Sequence, residues 1–171
     1  MRVEEVMTCK VFVCGPETDM QQAARLMWEN DCGVLPVVNT RDEVVGLITD
    51  RDLCMAAYTR GQSLREMPVR ESMSKEVFSC SPSDSLEQAI RVMGDHQVRR
   101  LPVVGERGQL LGLLSQNDLL RRIVSLADVR TQANLSRRLL EALASICETR
   151  GAELPEAVPG KSAEALAARG I

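Results

Sequence analysis

The chain has very few aromatic residues. They make up 2% of 171 residues: two Phe, one Tyr and one Trp. That leaves almost no platform on which single-stranded bases could stack. Any purine held here must be gripped by aliphatic side chains. There is one histidine, His96, and it has no Cys close to it in sequence, while the six cysteines form no CxxC pair. Zinc-ligand spacing is therefore missing, and so is any hydroxyl–His–carboxylate set for nucleophilic catalysis. The net charge is −3, so no overall basic field invites nucleic acid. No apolar run approaches membrane-spanning length. Arg2, Glu4 and Glu5 interrupt the N-terminus, which does not read as a signal peptide. These absences predict a cytoplasmic protein that touches neither membrane nor nucleic acid, with reduced and mostly buried cysteines.

What is present is ordinary for a globular protein, with 44% hydrophobic and 26% charged residues. The chain can hold one domain, or two small ones sharing a core. The organising stretch is Gly46-Leu47-Ile48-Thr49-Asp50-Arg51-Asp52, which returns as Gly112-Leu113-Leu114-Ser115-Gln116-Asn117-Asp118. Each reads as an apolar strand that stops at a hydroxyl and turns into a helix. Two readings of the motif are compatible. Thr49 or Ser115 is an N-cap, with the Asp three places on reaching back as a capping-box variant. Alternatively, the helix N-terminus and hydroxyl receive a phosphate, while the carboxylate accepts both hydroxyls of a ribose. The ending GK[ST] of a P-loop is missing.

The match extends without a gap from Val3 to Leu53 against Val69 to Leu119. Roughly 20 of about 50 aligned positions are identical, the mark of a duplicated supersecondary unit. Each copy predicts a short first strand (Val11-Phe12-Val13; Val77-Phe78-Ser79) and a turn at Pro16 or Pro82. A helix follows, opened by a capping box at Thr18-Asp19-Met20-Gln21 or Asp84-Ser85-Leu86-Glu87. Met20, Ala23, Ala24 and Met27, echoed by Leu86, Ala89, Ile90 and Met93, form its buried face. Then comes Val34-Leu35-Pro36-Val37-Val38, or Arg100-Leu101-Pro102-Val103-Val104, where the proline implies an edge or irregular strand with free backbone groups. The strand that ends at the opening motif and a second helix, stopped in the first copy at Gly61, complete the unit. About 60 residues with one apolar sheet face cannot easily stand alone, so two copies packed sheet to sheet are expected to share a core. His96 is expected at a helix end.

The expected organisation is repeat one over 1–61, a linker over 62–68, repeat two over 69–124, a C-terminal helix over 125–150 and a tail over 151–171. Leu135, Leu139, Ala142, Leu143 and Ile146 stripe that helix, which either packs back on the repeats or pairs with another chain. The tail, with Pro155 and Pro159, reads as a linker and a weak Ala-rich helix, or as disordered.

The paired features (Met-Thr/Ser, Pro before an acidic helix start, Leu-Pro-Val-Val and Gly-apolar-apolar-Thr/Ser-x-x-Asp) resemble tandem cystathionine-beta-synthase-type (CBS) domains, a pair often called a Bateman module. The resemblance covers residues 3 to 124. It implies an α/β fold: two β-α-β-β-α repeats related by a pseudo-two-fold axis, here with a C-terminal helical extension. It also implies two clefts for adenosine-containing effectors, namely AMP, ADP, ATP or S-adenosylmethionine, and no catalytic cofactor. Carried onto this sequence, Asp52 and Asp118 would hold ribose hydroxyls, and Thr49 and Ser115 would meet phosphate. Val11, Val13, Val77 and Ser79 would line the adenine. Backbone at Val34, Pro36 and Val37, and at Arg100, Pro102 and Val103, would complete the pockets. Arg51, beside the first ribose Asp, is Asn117 in the second copy, while Arg99 and Arg100 replace Gly33 and Val34. The two sites are therefore expected to differ. The implied function is a non-catalytic regulatory module, a homodimer acting on an unidentified regulated protein. The alternatives are a ligand-independent dimerisation or docking scaffold, and a thiol-based redox enzyme or sensor.

Overall fold

The computed structural model describes residues 1–148. The expected tail, and the last two residues of the expected C-terminal helix, lie outside that range. Repeat one contains α1 (Met20–Glu29), β1 (Val34–Val38), β2 (Val44–Thr49) and α2 (Asp50–Arg60). Repeat two contains α3 (Leu86–Asp95), β3 (Arg100–Val104), β4 (Leu110–Ser115) and α4 (Gln116–Val124), and α5 (Val129–Cys147) follows. β1 pairs with β2 and β3 with β4, both antiparallel and both bulged at the matching place, Val37/Val38 and Val103/Val104. No described helix is long and apolar enough to cross a membrane.

The expected first strand shrinks in each repeat to a single parallel bridge, Cys14 to Val37 and Cys80 to Val103. Cys14 N–H donates to Pro36 O at 3.1 Å, and Val38 N–H donates to Cys14 O at 2.9 Å. This also corrects the reading of the prolines as leaving backbone groups free. The N and C=O of a strand residue point to the same side, so Pro36 turns its missing donor toward the short Cys14 bridge and not toward β2. Its carbonyl is used there, as is that of Pro102, which accepts from Cys80 N–H at 3.0 Å.

The caps of the first helices fall one residue later than expected, and only that of α3 is a reciprocal capping box. Asp19 and Ser85 are the caps, accepting from Gln22 N and Gln88 N. Thr18 Oγ1 instead accepts from Gly15 N at 3.0 Å and closes the preceding turn. Gly61 caps α2 in the left-handed region at φ +61°, as the sequence predicts. Met20, Ala23 and Met27 of α1, and Leu86, Ala89, Ile90 and Met93 of α3, are buried. His96 caps α3, is exposed, and stacks on Phe78 at 3.7 Å.

In place of one core shared by facing sheets there are two, each completed by the other repeat's leading segment. Val3 lies in the core with Leu86, Ile90 and Leu101. Met67 and Val69 lie in the core with Met20, Leu35 and Ile48. The exchange follows the pseudo-two-fold axis, because the isolated bridges come in equivalent pairs. Arg2–Ser85 matches Asp19–Pro68, and Thr8–Leu113 matches Leu47–Ser74, while Glu43–Gln109 pairs with itself across the axis. Glycine at the head of each motif makes this possible. A Cβ on Gly46 would lie 2.7 Å from Ser74 O, and one on Gly112 would lie 2.9 Å from Thr8 O.

Helix α5 packs back on α3 and α4, with Leu135, Leu139 and Ala142 buried in the second core. Its stripe is thus satisfied within the chain and offers no separate argument for pairing with another copy. Only Cys14 and Cys80 are buried; Cys32 is half-buried, and Cys9, Cys54 and Cys147 are exposed, which corrects the expectation of mostly buried thiols. All six are free. Cys9 lies in the leading segment, Cys54 on the outward side of α2, and Cys147 at the end of α5.

Candidate functional site

At the end of β2 the backbone of Thr49 is extended and the chain turns into α2. Thr49 Oγ1 accepts from Asp52 N at 3.2 Å. Asp52 Oδ2 accepts from both Thr49 N, at 2.9 Å, and Thr49 Oγ1, at 2.6 Å. Ser115 and Asp118 reproduce these contacts at 2.9 and 2.6 Å. Both motifs are therefore complete capping boxes. The cap uses one carboxylate oxygen. Oδ1 of Asp52 and of Asp118 makes no hydrogen bond among the described residues, so an acceptor remains on each.

Around the first box lies a cleft of about 490 Å³. Repeat one lines it with Val34, Leu47, Thr49, Asp50, Arg51 and Asp52. The second repeat adds Ser74 from its leading segment and Gln97, Val98, Arg99 and Arg100, and α5 adds Ile146. Three arginines and two aspartates thus line one cleft, and Arg51, Arg99 and Arg100 form no ion pair among the described residues. Ser74 sits there because its N–H donates to Leu47 O at 2.9 Å, two residues before Thr49.

Of the residues the sequence singles out, Thr49, Asp52, Arg51, Val34 and Arg100 come together in this cleft. Val11 and Val13 line a different cleft of about 360 Å³, with Val38 and Gln109 to Gly112. Pro36, Val37, Pro102 and Val103 are buried, with Val37 and Val103 in the two cores. Val77 and Ser79 are half-buried and lie outside the first cleft. At the pseudo-equivalent place around Ser115 and Asp118, repeat one brings Gly33 and Val34 where repeat two brings Arg99 and Arg100 to the first, while Arg100 itself is the cross-strand neighbour of Ser115. Sequence reasoning missed Ser74, Gln97, Val98 and Ile146, and gave no binding role to Leu47 and Asp50 of the motif itself. The repeated Met-Thr/Ser pair signals Ser74. Gln97 and Ile146 carry no signal of cleft position in their local sequence.

Three thiols are shifted away from the reactive thiolate form. Burial pushes Cys14 up to about 11 and Cys80 up to about 12. Burial also raises Cys32, although Val34 N–H and the Arg100 charge oppose it. Among the described residues no cluster of His, Cys, Asp or Glu could hold a metal ion.

A family model described as CBS domain matches residues 3–58 and 66–125. The CBS domain-containing protein YhcV of Bacillus subtilis is 38% identical over 117 residues, 68% of this chain and 81% of that protein. The structure of a conserved protein from Pyrococcus horikoshii superposes with a TM-score of 0.66 at 27% identity, covering 75% of this chain and 96% of that one. The CBS domain pair of protein MJ0100, solved with 5′-methylthioadenosine and S-adenosyl-L-methionine, superposes with a TM-score of 0.66 at 18% identity, covering 72% and 96%.

Proposed function

We propose that this chain, which belongs to the CBS-domain family, is a non-catalytic regulatory module that senses an adenine nucleotide in the cleft beside Thr49 and Asp52. The observation that carries this is the convergence of that helix start with Arg51, Arg99 and Arg100. A helix N-terminus and unpaired guanidinium groups favour phosphate. The unused Oδ1 of Asp52 can accept from a ribose hydroxyl. Val34, Leu47, Val98 and Ile146 supply the aliphatic surface a purine requires in a chain with so few aromatic rings. The MJ0100 pair holds adenosine compounds, which supports the ligand class. The cationic lining favours ADP or ATP over AMP and over S-adenosylmethionine, whose sulfonium centre adds a positive charge.

A docking scaffold is favoured by a different observation, the exposure of Trp28, Tyr58, Leu120 and Val124 on helical faces. We assign those faces to a homodimer in which the same patch is buried on both subunits. Sedimentation should show a dimer at tens of micromolar, a rough scale for a stable interface; a monomer there would remove the assignment.

Calorimetry with AMP, ADP, ATP and S-adenosylmethionine tests the sensor reading. ATP and ADP should bind about tenfold or more tightly than the others, one guanidinium–phosphate contact being worth roughly 1.5–3 kcal/mol. The double substitution Arg99→Ala with Arg100→Ala should erase that preference. A protein blind to all four compounds would leave the scaffold reading in its place.

A further inference from the structure

Helix α5 belongs to neither repeat, yet its last turn reaches the cleft through Ile146. The contact is anchored. Gln97 Nε2 donates to Ser145 O at 2.9 Å, and Ser145 Oγ donates to Gly94 O at 3.0 Å. Gly94 also lets the two helices meet closely, since a Cβ there would lie 3.2 Å from Ala142 Cα and Cβ. Gln97 itself sits at φ +53°, a conformation uncommon for a residue with a side chain. It lines the cleft on one side and holds the end of α5 on the other. The aliphatic surface expected from Val11 and Val13 lies in a different cleft, so Ile146 and Val98 stand in that role here.

We propose that α5 is a wall of the nucleotide cleft, with Ile146 against the base, so that ligand binding and docking of the last turn of α5 are linked. This rests on the sensor reading above. Linkage is reciprocal: whatever factor the docked helix contributes to ligand affinity, ligand must contribute to helix docking. Couplings of this kind are typically about fivefold to a hundredfold.

The test uses the full chain with ATP as probe. Calorimetry compares wild type with Ile146→Ala, Ile146→Asp and Leu140→Asp, Leu140 being 66% exposed on the same helix. Affinity should fall about tenfold for Ile146→Asp and less for Ile146→Ala, and stay within about twofold for Leu140→Asp. Amide exchange of the unsubstituted protein needs no variant to fold. Saturating ATP should slow exchange across residues 143–147 by about the same factor, leaving the first turn of α5 unaffected. Wild-type ATP binding with unchanged affinity in the Ile146 variants and unchanged exchange at the end of α5 would overturn this proposal alone. A wild type that binds no nucleotide would overturn the sensor reading and this proposal together.

Discussion

Asp52→Asn and Asp118→Asn separate what the two equivalent carboxylates do. Each is half-buried and accepts two hydrogen bonds at one oxygen from its own cap residue. An Asn can place its amide oxygen at that point and keep the bond from the cap residue's N–H. It loses the charge near the helix N-terminus, and presents an NH₂ where Oδ1 was. The stability cost should therefore be small and equal at the two sites, about 0.5–1 kcal/mol, as for other losses at a helix start. Binding should not be equal. At Asp52 the lost acceptor faces a cleft with three guanidinium groups, and a ribose hydroxyl would meet a donor in place of a charged acceptor. A hydrogen bond to a charged group is worth roughly 1.5–3 kcal/mol, so ATP affinity should fall about tenfold to a hundredfold. At Asp118, which lies outside that cleft, the main binding event should change less than about twofold. Thermal unfolding and ATP calorimetry on both variants measure all four quantities. Equal loss of affinity at both positions would refute the placement of the main binding event in the Thr49 cleft. Equal loss of stability with no change in binding would leave both carboxylates as caps alone.

Gly112→Ala should weaken the exchange of segments between repeats. Its Cβ would lie 2.8 Å from Met7 Sδ and 2.9 Å from Thr8 O, and moving that segment strains the paired Thr8–Leu113 backbone bonds, each 2.9 Å. Overpacking of this kind costs about 1–3 kcal/mol, which calorimetric unfolding should read as a fall in Tm of several degrees; an unchanged Tm would show that the approach is looser than described. The buried thiols set an alkaline limit. Cys14 and Cys80 keep their protons in the folded state to about 11 and about 12, against an ordinary value of 9.0. Their contribution is intact below pH 9 and is lost as pH rises from there toward 11 and 12, because only the unfolded chain releases the protons freely. The limiting slope is about 1.4 kcal/mol per pH unit for each thiol. Denaturant titrations from pH 8 to 10.5 should show wild type losing stability faster than a Cys14→Ala, Cys80→Ala variant; parallel curves would contradict the burial argument.

Much of this protein was already determined by short stretches of its sequence. The duplication, the helices with their buried Met, Ala and Leu stripes, the Gly61 cap and the boxes at Thr49–Asp52 and Ser115–Asp118 all depend on side chains within a turn or two of one another. Local chemistry decides such features wherever the segment ends up. Even so, the caps of α1 and α3 fell one residue from the expected place, because Thr18 and Asp19 can both cap, and the burial of Met20 as the first helical residue chose between them. The tertiary structure decided what depends on neighbours far along the chain. The first strands were left as single bridges because Pro36 and Pro102 present no N–H on the edge of β1 and β3 that faces them. Val3 and Met67 crossed to the opposite cores because glycine at positions 46 and 112 let backbone approach backbone. Arg99, Arg100 and Ile146 reached the Thr49 cleft through the pseudo-two-fold packing of the repeats and the fold-back of α5, and a periodicity reports which face of a helix is buried without reporting against what.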